Sequence, residues 1–188
     1  MKAAILPAVW CLVAAPFARA GVTIHFKGEA KSAEDLPKIL AAATSYAKSH
    51  GWTVEDASAD EGELVRPDGA KVGLYEGKIT GVVLQPHNMS EPVWLQFGDD
   101  LVFADHVKTQ FAGAETHVAI IEMFDALKPL LKSLTIEDEG EYFTTRDREV
   151  LENHFAQVRE SLRQLKREEP AMYGPIKLKD GRIVDMIR

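Results

Sequence analysis

Between Trp52 and Gln110 the sequence breaks into short β-rich stretches with turn signals between them, and this spacing is what most limits the folds open to the chain. The candidate strands are 52–55, 63–66, 71–75, 79–85, 93–97 and 101–110. Pro67-Asp68-Gly69, Glu76-Gly77-Lys78 and Gly98-Asp99-Asp100 supply the turns. A parallel pair needs a crossover of roughly a dozen residues or more, so links this tight predict an antiparallel meander. Val22–Lys27 alternates and reads as one more strand.

Helical spacing brackets that region. Ser32 is placed to cap a helix over about 33–50, with Leu36, Ile39, Leu40, Ala43 and Ala47 at helical intervals and Gly51 as its stop. A second helix is expected from Ala114 to about Leu134, on the stripe Val118, Ile121, Phe124, Leu127, Leu131 and Leu134, with a kink or break at Pro129. Residues 135–144 read as acidic and irregular, with room for a short strand. A third helix is expected over 146–168, capped by Thr145, and a small hairpin over 176–187. The sum is an α+β fold: a single domain at 21–188, one antiparallel sheet with about three helices packed on it.

The first twenty residues have another character. Lys2, an apolar stretch from Ala3 to Phe17 and the small-x-small motif Ala18-Arg19-Ala20 form the pattern of a secretory signal peptide. The stretch is shorter than the ~20 residues a bilayer span needs, and Pro7 and Pro16 interrupt it. The expectation is a cleaved leader and a periplasmic or secreted product with no integral membrane span. Cys11, the only cysteine, sits mid-run behind Trp10, unlike a lipid attachment site, and would leave with the leader. A cysteine-free domain has neither disulfides nor a thiolate nucleophile, so burial must hold it together.

Losing Lys2 and Arg19 from the 22 basic residues leaves 20 against 29 acidic, a formal −9. That sign disfavours nucleic acid, whose phosphates require clustered Lys and Arg. It suits a basic partner protein, a divalent cation or plain solubility.

The run Phe103–His117, FADHVKTQFAGAETH, holds the densest candidate chemistry. Strand alternation puts Leu101, Phe103, Asp105, Val107, Thr109 and Phe111 on the core face, with His106 and Lys108 on the other. Asp105 among apolar neighbours needs a partner or a shifted pKa, either as an acid for chemistry or as a structural carboxylate bonded to backbone N–H groups or a core Arg or Lys. Glu115 and His117 are two apart on a helix and do not face each other, a poor arrangement for a chelate. His117, near a helix N-terminus, suits a base, a ligand or half-buried packing. Gly113 alone is too little for an anion loop. His87 lies in a polar loop framed by Pro86 and Pro92, where Asn88-Met89-Ser90 is also a glycosylation sequon.

Two acidic stretches, 55–63 and 137–141, lack calcium-loop spacing: in the first, Glu61 stands where an EF-hand needs Gly and Pro67 where it needs Glu. HExxH, GxSxG, CxxC and P-loop motifs are absent, so metalloprotease, α/β-hydrolase, thioredoxin and NTPase readings have no support. The leading expectation is an exported acidic binding protein, inhibitor- or immunity-like in one form, whose partner is a protein or an envelope ligand; no cofactor is implied. The alternatives are a small exported hydrolase using Asp105 with His117 or His87, and a divalent-cation binder.

Overall fold

The β-rich stretches and the flanking helices assemble around two aromatic-centred clusters. A computed structural model describes residues 21–65 and 71–188. The leader pattern at 1–20 and the expected turn Pro67-Asp68-Gly69 lie outside the described residues.

The first sheet has three antiparallel strands with β1 (Thr23–Ala30) in the centre, between β6 (Val102–Lys108) and β7 (Leu131–Asp138). β1 tolerates that position because Gly28 makes room: a Cβ there would overlap the Phe103 ring of the facing strand. The second sheet is built on a long strand, β4 (Lys71–Gln85). Its first part pairs with β3 (Ala59–Val65), and its last part lies between β2 (Thr53–Asp56) and β5 (Val93–Phe97). The expected turn at Glu76-Gly77-Lys78 is therefore not a turn. Gly77 continues the strand, and the side chains of Tyr75 and Asp99 crowd the space a Cβ would fill.

Helix α1 (Leu36–Ser49), entered through a 3₁₀ turn at Ala33–Asp35, and α2 (Ala114–Leu127) cover the core. Leu36, Ile39, Ala43 and Ala47 of α1 and Ile120, Ile121, Met123, Phe124 and Leu127 of α2 are buried with Phe26, Phe97 and Phe103 from the strands. Phe26 and Phe124 meet at 4.8 Å between ring centroids and Phe97 and Phe103 at 5.0 Å. Each such ring contributes about 1.5–3 kcal/mol by burial. No helix among the described residues is long and apolar enough to cross a membrane.

The second helix ends earlier than its apolar stripe suggests. After Leu127 comes a 3₁₀ turn, Lys128–Leu130, and then β7. Pro129 cannot donate to a continuing helix, and Leu131 and Leu134 belong to the strand. From Leu134 onward the inward positions are Leu134, Ile136 and Asp138, a period of two. A one-turn α3 (Tyr142–Thr145) lies between Glu141 and Arg146, both in left-handed backbone.

α4 (Arg148–Glu168) follows, capped by Asp147 rather than Thr145: its carboxylate accepts from the N–H groups of Glu149 at 2.8 Å and Val150 at 3.4 Å. Leu151, Phe155 and Val158 of α4 join Val22 and Ala114 in a second, smaller cluster. The chain closes with a short hairpin, β8 (Ile176–Lys177) and β9 (Ile183–Val184). The described residues form an α+β single-domain fold with four helices and three antiparallel sheets.

Candidate functional site

Three networks hold the polar groups singled out in the sequence. His117 lies in the first. Its ring is wholly buried, with Nδ1 2.8 Å from Thr109 Oγ1 and Nε2 3.0 Å from Asp138 Oδ1. The Nε2 contact is close but not aligned as a hydrogen bond. Thr109 Oγ1 also lies 3.0 Å from the Val22 carbonyl. Asp138 accepts from the N–H groups of Gly140 at 2.7 Å and Phe143 at 2.8 Å. Burial alone would raise the Asp138 pKa. The His117 contact and these two amides outweigh it and hold the carboxyl below its ordinary value. Phe155 meets the imidazole edge-on at 6.2 Å. The arrangement resembles a relay, but Thr109 and His117 have no solvent access. It works as a clasp between the end of β6, α2, β7 and the residue that enters β1.

Asp105 lies in the second network, at the docking point of the C-terminal hairpin. Arg182 places Nη2 on Asp105 Oδ1 at 2.5 Å and Nη1 on the His106 carbonyl at 2.8 Å, with Glu91 Oε2 at 3.4 Å. Glu91, 3 % exposed, is the hub. Its carboxylate accepts from Ile183 N–H at 2.8 Å and Lys108 N–H at 3.0 Å. The Lys108 ammonium donates to Ile183 O and to Asp185. Burial is the largest influence on Asp105 and pushes its pKa up to about 6, against the pull of Arg182; Oδ2 is buried with no hydrogen bond.

The core-facing alternation of β6 holds, with Phe103, Asp105, Val107 and Thr109 buried. One expectation drawn from it does not. His106 is not kept away from Asp105: its Nδ1 stands 3.4 Å from Asp105 Oδ1 and its Nε2 3.8 Å from Glu91. The ring reaches the strand edge where the hairpin docks. Burial, then the Arg182 charge, push its pKa down to about 4.

His87 belongs to a third, local network. Exposed on its loop, it accepts from Met89 N–H at 3.0 Å through Nδ1, while its N–H donates to Ser90 Oγ at 3.2 Å. Asp105, His117 and His87 thus serve three separate networks. Glu115 is exposed and pairs with Arg148. Among the described residues no three His, Cys, Asp or Glu side chains group to hold a metal ion.

A groove of about 450 Å³ opens between the outer face of β2, β4 and β5 and the C-terminal hairpin. Val83, Pro92, Trp94 and Leu178 give it apolar surface, and Glu55, Gln85, Lys179 and Asp180 give it polar groups. Lys177 fastens the hairpin beside it, donating to Gln85 Oε1 and to the carbonyls of Asn88 and Ser90 at 3.1–3.2 Å.

Glu91, Arg182, Asp138 and Trp94 do not stand out in the sequence. Asp138 carried a signal, the Leu134-Ile136-Asp138 alternation, which the helical stripe across Leu131 and Leu134 masked. Glu91 and Arg182 carried none, since their roles exist only once distant segments meet. Comparison with protein-family models, with curated proteins and with solved structures found no match.

Proposed function

We propose that the protein is an exported binding protein that engages a partner protein through the groove beneath its C-terminal hairpin. The observation that carries this reading is the contrast between the groove and the buried networks. Asp105 and His117 are engaged in holding segments together and His87 in shaping its own loop, whereas the groove presents a half-buried tryptophan and an open apolar rim. Leu178 on that rim is 45 % exposed, and Tyr173, 54 % exposed, lies in the same C-terminal segment. A tryptophan in a concave, partly desolvated setting is the kind of anchor that dominates protein interfaces. The acidic balance of the chain favours encounter with a basic partner, as in an inhibitor or immunity role. The hydrolase alternative draws no support from Asp105, His117 and His87, which serve three different networks.

A photo-cross-linker at Thr53 on the groove wall, with a second at Arg163 on α4 as control, tests the reading in envelope extract. The expected result is one adduct of defined mass at position 53, absent at 163 and lost in Leu178→Asp. No adduct at 53, or the same adducts at both positions, would sink it.

A further inference from the structure

The residue after the small-x-small motif packs against a carboxylate. A Cβ on Gly21 would stand 2.9 Å from Glu139 Oε2, so the Gly21 backbone runs directly past that oxygen. The next residues are pinned firmly. Val22 N–H donates to Gln110 Oε1 at 3.3 Å and Thr23 N–H to Glu139 Oε2 at 3.1 Å. The Val22 carbonyl accepts from Thr109 N–H at 2.9 Å, and the Thr23 carbonyl from Glu139 N–H at 3.0 Å. Glu139 is part-buried; its Oε1 lies 3.8 Å from His25 Nε2, and the His25 and Thr23 contacts hold the carboxyl below its ordinary value. Its carboxylate is a prepared acceptor for a positive charge at the Gly21 nitrogen.

We propose that the chain is processed between Ala20 and Gly21 and that the new α-ammonium of Gly21 pairs with Glu139, locking the mature N-terminus onto the end of β7. The proposal rests on the export reading. In the step, a leader-removing protease adds water across the Ala20–Gly21 peptide bond. The carboxylate leaves with Ala20, and the amine stays on Gly21 and takes up a proton. Gly21 serves both events, being small enough to follow the motif and lacking the Cβ that would displace the carboxylate.

Two measurements separate the processing from the pairing. Intact mass of the product exported from the full-length chain should correspond to residues 21–188; any other N-terminus overturns the processing. On chain prepared to begin at Gly21, the α-amine, tagged by reductive ¹³C-methylation that preserves its charge, is titrated by NMR. Its midpoint should lie about one pH unit above the ordinary value near 8, and Glu139→Gln should return it to that value. A wild-type midpoint in the ordinary range, or one that Glu139→Gln leaves in place, overturns the pairing whatever the mass shows. Gly21→Ala provides a second variant that keeps the Glu139 carboxylate itself. The added methyl should push the carboxylate away and remove most of the shift, and an unchanged midpoint there counts against the pairing too.

Discussion

Asp105 and His106 are adjacent in sequence, and their titrations oppose each other. Asp105 is raised from 3.8 to about 6 on folding. Between those values the folded state binds the extra proton, so this group favours folding at acid pH, and that contribution is lost as pH rises through 6. His106 is depressed from 6.5 to about 4. There the unfolded state binds the extra proton, so its contribution is present above 6.5 and lost as pH falls toward 4. The Asp105 contribution is on the order of 2–3 kcal/mol. That of His106 is smaller, because its side chain is 41 % exposed and water screens it. Asp105→Asn should therefore lose stability, relative to wild type, as pH is lowered from 6.5 to 4, and His106→Gln should gain it. Urea midpoints at half-unit pH intervals check this, and slopes of the same sign in both variants would refute it. The structural role of Asp105 was legible: a carboxylate on the apolar face of a strand calls for a partner, and a core arginine was one of those foreseen. The closeness of His106 was not, because alternation describes where side chains leave the backbone and not where a long ring ends up.

The elements read best from sequence are those whose signal is local. α1 and α4 fall within a few residues of their expected spans, and the hairpin at 176–187 forms where its turn residues place it. The strand β7 was hidden because its leucines also fit the helical stripe of α2, and only Pro129 marked the change. How an element docks is a tertiary matter, and the C-terminal hairpin shows it. It is two short strands whose attachment depends on Arg182 and Lys177 reaching other segments. Arg182→Ala would leave the nearly buried carboxylates of Glu91 and Asp105 without their guanidinium, at a cost of roughly 3–5 kcal/mol. The hairpin should loosen first: faster hydrogen exchange over 176–187, with the β1 ladder still protected. Protection of 176–187 equal to wild type would show that Arg182 is not the anchor. At the turn after β7, a Cβ on Gly140 would meet Leu151 Cδ1 at 2.5 Å and stand 3.2 Å from the His117 ring. Gly140→Ala should push α4 outward and cost about 1–3 kcal/mol, read from the thermal midpoint. A midpoint equal to wild type would mean that α4 yields without cost.

At the scale of the whole molecule the fold has two apolar clusters of unequal size, and the His117 clasp lies between them. The larger surrounds Phe26, Phe97, Phe103 and Phe124; the smaller, around Leu151, Phe155 and Val158, holds α4. A helix kept in place by so few apolar side chains, with one charged face along its length, should open at lower free energy than the main core. His117 is the link. It belongs to α2, whose Ile120, Ile121, Met123, Phe124 and Leu127 fill the main core, it faces Phe155 of the smaller cluster, and it contacts the carboxylate that ends β7. Three substitutions therefore separate by their reach. Phe155→Ala should release α4 to fast exchange while the β1 amides keep most of their protection. Phe124→Ala should cost about 3–5 kcal/mol and lower protection everywhere. His117→Ala leaves Asp138 buried without its partner, a loss of comparable size, and should lower protection in both regions, because the segments it joins belong to both. Native-state hydrogen exchange on the three variants reads this directly. If His117→Ala affects α4 alone, the clasp belongs to the smaller cluster and the two cores hold each other by packing; if both regions weaken together, the imidazole is what makes them one cooperative unit.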